Sequence, residues 1–413
     1  MQILTGAAAL QRIRKLERRG SELSKLEPQV RKIVEDVRRH GDRALRKYAQ
    51  KWDGLGTKEA IKISRAELEA AWVMAAPQLR SSLQQAGSNI RRFCERQKPR
   101  EWIRNGNGIS AGQIVRPLES VGCYVPGGRH PLVSTLLMTV IPAQVAGVQK
   151  IRIVSPNPQN EVLAAAHMLG VHEVFRIGGA QAIAALAYGT KTIGRVDKIV
   201  GPGNIYVTLA KKVVSFDCAI DFLAGPTEVV ILSDEGRAEF IAADLAAQAE
   251  HDPNSIAVLI TTSRRLARTV RMCVKRIAEA NATVHQSISR NGAVLLARSR
   301  EEAITWANRI AAEHITVEAK DLPYIQNAGS IFVGDYSAQA AGDYASGPNH
   351  VLPTAGVARF RGGLSVIDFV KIITVQELSK SGLSSIGKTV AYLAEIEGLR
   401  AHAQSIRVRC PNA

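Results

Sequence analysis

Residues 121–128 read Val-Gly-Cys-Tyr-Val-Pro-Gly-Gly, a short apolar run that ends in a turn built on glycines. The same unit recurs downstream, where the runs 173–177 and 198–200 are followed by Gly178-Gly179 and by Gly201-Pro202-Gly203. A helical stretch separates each run from the next. Short apolar runs that alternate with helices are typical of βαβ units, so this part of the chain is predicted to form a parallel sheet.

A second series of apolar runs lies further along the chain and implies a second unit of the same kind. Counting both series, strands are predicted at residues 121–125, 151–154, 173–177, 198–200, 229–232, 256–261, 293–296, 315–317 and 330–333. Residues up to about 105 instead space their apolar side chains as helices do, most clearly over 30–48 and 68–93. The sequence therefore predicts an α/β protein with two doubly wound, Rossmann-like domains and smaller helical parts at both ends.

The composition is that of a folded globular protein with a large excess of positive charge. Of the 413 residues, 46% are hydrophobic and 22% are charged, and no apolar run approaches the roughly 18 to 20 residues that a membrane span needs. Lys and Arg outnumber Asp and Glu by 54 to 37, which gives a net charge of +17. Excess positive charge attracts polyanions, so a nucleic-acid-binding protein is one hypothesis to weigh.

The densest basic segment, residues 263–280, argues against that hypothesis. Its apolar residues Leu266, Val270, Val274 and Ile277 recur at helical spacing and predict one buried stripe opposite a solvated basic face. No aromatic platform or known nucleic-acid-binding motif accompanies the segment. We therefore interpret it as an ordinary helix with a solvated face.

Cysteine usage indicates the cellular compartment. The chain has an odd number of cysteines, scattered and without a Cys-x-x-Cys pair: Cys94, Cys123, Cys218, Cys273 and Cys410. This pattern favours reduced thiols and predicts a cytoplasmic protein.

The three glycine turns are the candidate nucleotide site. The usual dinucleotide fingerprint, G-x-G-x-x-G between a strand and a helix, is absent, since Gly106-Asn107-Gly108 lacks both the third glycine and a preceding strand. The turns at 126–128, 178–179 and 201–203 each follow a predicted strand. In one parallel sheet they would share the carboxyl edge, where ligands bind, and the helix N-termini behind them can accept phosphate charge.

Four polar residues could form a catalytic zinc site, which needs nitrogen or oxygen ligands and one open position. Gln248 and His251 lie three residues apart at the end of a predicted helix and would share one face. Asp343 and His402 could complete the set. Taken one by one, these residues fit simpler roles, at the surface or in a cap, in a turn, or beside a helix C-terminus.

The pair Glu313-His314 follows a predicted helix and opens a predicted strand, which places both side chains at the rim of a sheet. A lone Glu-His pair is usually structural. A carboxylate beside an imidazole also offers two groups that can move protons near neutral pH, as the oxidation of an alcohol requires.

Four segments together carry a resemblance to a known family. They are residues 248–253 (Gln-Ala-Glu-His-Asp-Pro), 313–314 (Glu-His), 342–350 (Gly-Asp-Tyr-Ala-Ser-Gly-Pro-Asn-His) and 397–402 (Glu-Gly-Leu-Arg-Ala-His). With these segments, the chain resembles the histidinol dehydrogenase family over essentially its full length. The resemblance implies an intertwined homodimer in which the zinc ligands are Gln248, His251, Asp343 and, from the partner subunit, His402.

The resemblance also implies a role for each further site residue. His314 is the base that shuttles protons, and Glu313 activates the water that attacks an aldehyde. Tyr124, Gln181 and Asn204 match the family's contacts to NAD. The implied substrate-binding residues are Thr227, Gln248, His251, His314, Asp343, His350, Glu397 and His402, with Glu397 also coming from the partner subunit.

The implied reaction is a four-electron oxidation of L-histidinol through L-histidinal to L-histidine, at the end of histidine biosynthesis. Two NAD molecules are reduced in sequence. A paralogue that oxidises another small polar alcohol is the second hypothesis, and it is disfavoured because a different substrate would relax contacts such as Glu397 and His350. A nucleic-acid-binding protein would have no use for the Gln/His/Asp/His set.

The same reasoning divides the chain into parts. Residues 20–123 plus 228–361 are expected to form the first, catalytic α/β domain, and residues 124–227 the second, NAD-binding domain. Residues 1–19 plus 362–370 are expected to form a small helical and connecting part. Residues 371–413 are expected to form a C-terminal helical part that reaches the partner subunit.

Two positions depart from the family pattern. Thr227 stands where serine is commonest, and its hydroxyl retains the capacity for hydrogen bonding. Arg129 and His130 follow the glycines of the turn at 126–128, where the family usually has small or neutral residues. Arg129 either pairs with pyrophosphate or faces solvent, and His130 is interpreted as a loop residue.

Overall fold

A computed structural model describes residues 1–19, 25–127 and 131–410, so the interpretation of Arg129 and His130 lies outside the described residues. The strands are β1 (Gln2–Thr5), β2 (Trp102–Gly106), β3 (Ile109–Pro117), β4 (Ser120–Tyr124), β5 (Lys150–Val154), β6 (Glu173–Phe175), β7 (Lys198–Val200), β8 (Ala219–Ile220), β9 (Glu228–Leu232), β10 (Ile256–Thr261), β11 (Ala293–Leu296), β12 (His314–Val317), β13 (Ser330–Val333) and β14 (Val370–Leu378). The helices are α1 (Gly6–Glu17), α2 (Glu27–His40), α3 (Asp42–Trp52), α4 (Arg65–Met74), α5 (Pro77–Gln97), α6 (Val133–Ala146), α7 (Asn160–Met168), α8 (Gly179–Tyr188), α9 (Ile205–Val214), α10 (Ala238–Ala249), α11 (Arg264–Glu279), α12 (Ala282–Asn291), α13 (Arg300–Ile310), α14 (Gln339–Tyr344), α15 (Lys380–Ile396) and α16 (Arg400–Arg407). Short 3-10 helices lie at Ala319–Tyr324, Val357–Arg359 and Val366–Phe369.

The first α/β unit is a five-stranded parallel sheet in the order β6-β5-β4-β7-β8. This is the strand order of a Rossmann half with two further strands, and its order reverses between β4 and β7. Helices α2, α3, α8 and α9 cover one face, and α4 to α7 cover the other. The prediction of a doubly wound parallel sheet in this part of the chain is confirmed.

The second unit is a six-stranded parallel sheet in the order β1-β11-β10-β9-β12-β13. From β11 to β13 it repeats the order of the five-stranded sheet, with the reversal between β9 and β12. Helices α1 and α13 pack on one face, and α10, α11 and α12 pack on the other. Both sheets are thus buried on two faces, which explains why their strands appear in the sequence as short continuous apolar runs.

The structure differs from the prediction for the helical ends. Residues 2–5 form β1, which pairs with β11 at the edge of the six-stranded sheet. A third sheet, antiparallel and in the order β14-β3-β2, joins residues 102–117 to the start of the C-terminal part. All five residues of β2 are exposed and most of β14 is exposed, so these strands lack the apolar alternation that marks a half-buried strand.

Two predicted helical stretches are each divided in the structure. The stretch 30–48 breaks at Gly41, whose φ of 51° favours glycine, and gives α2 and α3. The stretch 68–93 breaks before Pro77, where the residue preceding the proline is extended, and gives α4 and α5. Both breaks let the chain turn so that apolar faces on either side pack against the five-stranded sheet.

The basic segment is a single amphipathic helix, α11, as predicted. Leu266, Val270 and Val274 are buried against the six-stranded sheet, and the Ser263 hydroxyl accepts a hydrogen bond from the backbone N–H of Leu266 at the helix start. Exposed positions carry its charges: Arg264, Arg265, Arg268, Arg271, Lys275 and Arg276. None of the helices within residues 1–19, 25–127 and 131–410 combines the length and apolar character needed to cross a membrane.

The C-terminal hairpin, which we define as α15 and α16, has a very small core of its own. Its buried cluster consists of Ala391, Ala394 and Ala403. Larger apolar side chains of the hairpin lie on its outside, with Tyr392 64% and Ile396 66% exposed. An exposed apolar face of this kind is typical of a surface that contacts another protein.

Candidate active site

Residues of the candidate site lie at opposite strand ends in the two parallel sheets. In the six-stranded sheet, Glu228 begins β9 and His314 begins β12, so both stand at the amino edge beside the reversal of strand order. In the five-stranded sheet, Tyr124 ends β4 and Gly201 follows β7 at the carboxyl edge. Open α/β sheets usually bind ligands at the carboxyl edge, so only the residues of the five-stranded sheet lie at the usual position.

Ion pairs occupy the carboxyl edge of the six-stranded sheet instead. Arg300 lies 3.1 Å from Asp234 and 3.4 Å from Glu318, and it also pairs with the buried Asp321. Glu318 accepts further hydrogen bonds from the Ser233 hydroxyl and the Asp234 backbone N–H. This network satisfies the strand ends with charges of the chain itself.

Glu313 is buried with one oxygen held by the neighbouring strand. Its Oε2 accepts hydrogen bonds from the Thr227 hydroxyl at 2.5 Å and from the backbone N–H of Glu228 at 2.8 Å. Burial raises the pKa of Glu313 to about 7, although His314 and these two donors oppose the rise. The group can therefore exist in both protonation states near neutral pH.

His314 is buried beside Glu313 with its two ring nitrogens in different surroundings. Nδ1 lies 3.2 Å from the carbonyl oxygen of Glu228, which assigns the proton to Nδ1. Nε2 lies 3.4 Å from Oδ1 of Asp343 and has no hydrogen-bond partner within the described chain. Burial acts to lower the pKa of His314, but Glu313 and Asp343 outweigh it and raise the pKa to about 8.

Glu228 contacts both Glu313 and His314, and the sequence did not reveal this position. Its backbone N–H donates to Glu313, its backbone carbonyl faces His314, and its buried side chain pairs with Arg19. The same carboxylate accepts a hydrogen bond from the backbone N–H of Ala355 at 2.9 Å. Because Arg19 lies 209 residues away in the chain, no local pattern could have indicated this arrangement.

Three of the predicted zinc ligands belong to the same neighbourhood. Gln248, in the last turn of α10, donates from Nε2 to the Thr227 hydroxyl, and within the described residues its Oε1 makes no hydrogen bond. Burial acts to raise the pKa of Asp343, but His314, His350 and His251 outweigh it and lower the pKa, which requires these imidazoles to be close by. An amide oxygen, a carboxylate and an imidazole are suitable ligands for zinc.

His251 does not share the helix with Gln248, contrary to the prediction. Helix α10 ends at Ala249, and His251 lies exposed two residues beyond it. Pro253 disfavours helical backbone at the residue before it, so the chain leaves the helix here. His251 is consequently exposed at the rim of the site.

His350 lines the same region from a loop. Its Nδ1 lies 2.7 Å from the backbone carbonyl oxygen of Asp343, and its Nε2 lies 3.4 Å from the hydroxyl of Thr135. Burial lowers the pKa of His350, while Asp343 opposes the shift. The ring is therefore held as a neutral imidazole that can exchange hydrogen bonds with a polar ligand.

The structure does not bring the other two predicted residues to this neighbourhood. His402 lies in α16 and Glu397 follows α15, both exposed on the C-terminal hairpin. Within residues 1–19, 25–127 and 131–410, one chain does not contain three His, Cys, Asp or Glu side chains grouped to hold a metal ion. In one chain, the structure therefore does not bring His402 together with Gln248, His251 and Asp343.

The three predicted cofactor contacts line one cleft of about 710 Å³. Tyr124 and Gln181 are buried in its wall and Asn204 is exposed at its side. Trp52 and Asp53, at the end of α3, line the same cleft. A cleft of this volume suits a ligand of nucleotide size.

At two of the glycine turns, side chains accept hydrogen bonds from some of the backbone N–H groups at the helix start. The backbone N–H of Gly178 donates to Asp53 at 3.1 Å, and that of Gly179 donates to the hydroxyl of Tyr124 at 3.1 Å. At the next turn, Oδ1 of Asn204 caps α9 by accepting from two backbone N–H groups. Side chains thus bind these four N–H groups, and the amide nitrogen of Asn204 makes no hydrogen bond within the described residues.

A buried ion pair fixes the turn that leads to Asn204. Nζ of Lys211 donates to the carbonyl oxygen of Gly201 at 2.8 Å and pairs with Asp221. Asp221 in turn accepts the backbone N–H of Gly201 at 2.8 Å. Both polar groups of one glycine are therefore held by a pair of charges that is shielded from water.

Replacing Lys211 with methionine is expected to lower the free energy of unfolding by about 3 kcal/mol or more, because Asp221 then keeps a buried charge without its partner. Urea denaturation followed by circular dichroism measures the change. Lys212→Met is the matched control, since Lys212 is 46% exposed and pairs with Glu27 at the surface, and it should cost about 1 kcal/mol or less. Equal losses in the two variants would contradict the structural role of the buried pair.

Comparison with known proteins assigns this arrangement to a family. Residues 16–410 match the family model described as histidinol dehydrogenase. Histidinol dehydrogenase of Methanothermobacter thermautotrophicus is 48% identical over 92% of this chain and 92% of its own, and that of Syntrophotalea carbinolica is 45% identical over 93% and 92%. The crystal structure of histidinol dehydrogenase from Elizabethkingia anophelis superimposes with a TM-score of 0.94 at 36% identity, covering 99% of this chain and 98% of that one. The chain belongs to the histidinol dehydrogenase family.

Proposed function

We propose that this chain carries out the reaction for which its family is named and takes it through to the acid, converting L-histidinol to L-histidine with two NAD and one zinc ion per site. The observation that carries the proposal is the state of His314, whose Nδ1 is fixed by Glu228 and whose Nε2 is free beside Asp343. In its neutral form, an imidazole held in this way can accept a proton at Nε2 from a bound alcohol.

The residues of the site suit both bound groups. Gln248, His251 and Asp343 offer zinc an amide oxygen, an imidazole and a carboxylate, with His402 of a second copy as the fourth ligand. Tyr124, Gln181 and Asn204 would contact NAD in the cleft. When bound, NAD supplies the hydride acceptor, and zinc supplies a Lewis acid that fixes the amino and imidazole nitrogens of the substrate.

The first oxidation removes a hydride and a proton from the carbinol and leaves the aldehyde. Nε2 of His314 accepts the hydroxyl proton while Nδ1 continues to donate to the carbonyl of Glu228. Glu313 and Asp343 stabilise the imidazolium that forms, because both carboxylates raise the pKa of the ring. Burial of Glu313 and His314, together with partial burial of Asp343, strengthens these interactions relative to water.

The second oxidation adds water to the aldehyde and removes a second hydride, with two protons released as the carboxylate forms. Glu313 accepts a proton from the attacking water, and its raised pKa makes it a stronger base than an exposed carboxylate. The Thr227 hydroxyl and the Glu228 N–H hold Oε2 in place. Oε1 makes no hydrogen bond within the described residues and is the atom that would meet the water.

We further propose that the active form is a homodimer in which each C-terminal hairpin completes the site of the other subunit. Its support is the exposure of His402 and Glu397 away from the other site residues, together with the exposed apolar residues Tyr392 and Ile396 on the same hairpin. Burial of such a face is the usual driving force for association.

The five cysteines are free thiols, which supports a cytoplasmic location.

We also propose that the two α/β domains have different roles. Residues 124–227 would bind NAD, with Asp53 of the first domain reaching into the same cleft. Residues 20–123 plus 228–361 would carry the catalytic pair. Residues 371–413 would reach the partner subunit.

The test is the stoichiometry and metal dependence of NADH formation by the zinc-loaded protein given limiting L-histidinol. Two NADH per histidinol are expected, with activity lost after chelation and restored by zinc, because chelation removes the group that orients the substrate. The same chelator must leave NADH formation intact in a metal-independent dehydrogenase assayed alongside. No NADH from a folded, metal-loaded dimer would refute the substrate and point to another small polar alcohol.

A further inference from the structure

Asp53 differs from every other residue that lines the nucleotide cleft. Within the described residues it is the one acidic or basic side chain of the lining, and the other lining residues are glycine, proline, aliphatic, amide or aromatic. It lies at the end of α3, where the chain turns through Gly54. Among the described lining residues, a single carboxylate therefore stands in the wall of the cleft in which we propose that an anionic dinucleotide binds.

The two oxygens of this carboxylate have different surroundings. Oδ2 accepts hydrogen bonds from the backbone N–H of Gly178 at 3.1 Å and from Nε2 of Gln181 at 3.0 Å. Oδ1 makes no hydrogen bond within the described residues, and it is not among the polar atoms sealed from solvent. One oxygen thus anchors the carboxylate, and the other remains as a hydrogen-bond acceptor open to the cleft.

The negative charge is not required for the anchoring. Burial raises the pKa of Asp53, with Gly178 and Gln181 opposing the rise, and a carboxylate beside a helix C-terminus is further disfavoured by the helix dipole. An asparagine in the same place could accept both hydrogen bonds through its amide oxygen without these two costs. The charge is therefore better explained by a ligand than by the fold.

Within the function proposed above, on which this inference rests, the ligand is a dinucleotide with two ribose rings. A fixed carboxylate oxygen accepts a hydrogen bond from a ribose hydroxyl, and it repels the 2′-phosphate that distinguishes NADP from NAD. We infer that Asp53 binds a hydroxyl of the adenosine ribose through Oδ1 and is the residue that makes this site select NAD over NADP.

The decisive variant is Asp53→Asn, which keeps an acceptor for Gly178 and Gln181 but places an uncharged amide in the cleft. The ratio of kcat/KM for NADP to kcat/KM for NAD, measured with L-histidinol, should rise by about tenfold or more. Asp217→Asn is the matched control, because Asp217 is exposed, bonds the Tyr188 hydroxyl and does not line the cleft. It removes the same charge and should leave the ratio unchanged.

Calorimetric titration provides a readout that does not depend on turnover or on metal. The unaltered protein should bind ADP-ribose more tightly than 2′-phospho-ADP-ribose, and Asp53→Asn should narrow the difference. Equal affinity of the unaltered protein for the two compounds would overturn the inference, whether or not the variant folds. If Asp53→Asn does not fold, Asp53→Ser is the second variant to measure. A folded Asp53→Asn protein with an unchanged ratio of kcat/KM for NADP to kcat/KM for NAD would also overturn the inference. So would an equal decrease of kcat/KM for the two coenzymes. The proposed function is judged separately from the role of Asp53. It stands if the unaltered protein oxidises histidinol with NAD, and failure to oxidise histidinol would count against it.

Discussion

Replacement of His314 with asparagine is expected to lower kcat by about a thousandfold, because it removes the group that accepts the alcohol proton. An asparagine amide can still donate to the carbonyl of Glu228, so the strand and its neighbours keep their places. It cannot accept and release a proton near neutral pH. The KM for histidinol should change much less than kcat, and steady-state NADH formation measures both.

The matched control is His285→Asn. His285 is exposed in α12 and none of its side-chain atoms takes part in a hydrogen bond within the described residues. Its replacement should leave kcat and KM unchanged. A His314→Asn protein that keeps a tenth of the original kcat, while folded by circular dichroism, would show that another group accepts the proton.

The second large effect is a gain of activity on mixing two inactive proteins. His314→Asn and His402→Asn chains should each be nearly inactive alone. If each hairpin completes the site of the partner, a mixed dimer has one site with both histidines intact and one site with neither. Equal amounts unfolded and reassembled together should therefore regain about one quarter of the original activity, since half of the dimers are mixed.

Two different affinity tags establish that mixed dimers have formed, and the tandem-purified mixed dimer should show about half of the original activity. The control pair is His314→Asn mixed with Glu313→Gln, because both residues lie in the same part of one chain. That pair should regain nothing by exchange of hairpins. Confirmed mixed dimers of the first pair without activity would rule out a site shared between subunits.

The strands of the two parallel sheets were predictable because they are buried on both faces. The bounds of β7, β10, β11 and β13 coincide with the apolar runs in the sequence. By contrast, β1 pairs with β11, which lies far from it in the sequence, and no local pattern indicates that partner. Strands β2 and β14 are largely exposed, so burial did not shape their composition in a way that a pattern could reveal.

Residues of the site were likewise predictable where the signal lies in adjacent residues, and not where it depends on residues far apart in the sequence. The position of the Glu313-His314 pair at the start of a strand was predictable, since the residues are adjacent and β12 begins at His314. The carboxylate that holds Gln181 comes from α3, 128 residues earlier in the chain, and its only local signal is a turn at Asp53-Gly54. Contacts of this sort depend on how helices and strands are packed, which no spacing of residues records.

The position of His314 at the start of an interior strand has a consequence for the order in which parts of the protein unfold. Strand β12 is bonded on both sides, by β9 and β13, and its backbone opens only when the six-stranded sheet as a whole comes apart. The C-terminal hairpin, with three alanines for a core, belongs to the least protected class of structure. On gentle warming we therefore expect the hairpin to unfold before the six-stranded sheet. If the hairpin completes the partner's site as proposed, substrate binding would then be lost while Glu313 and His314 are still in place.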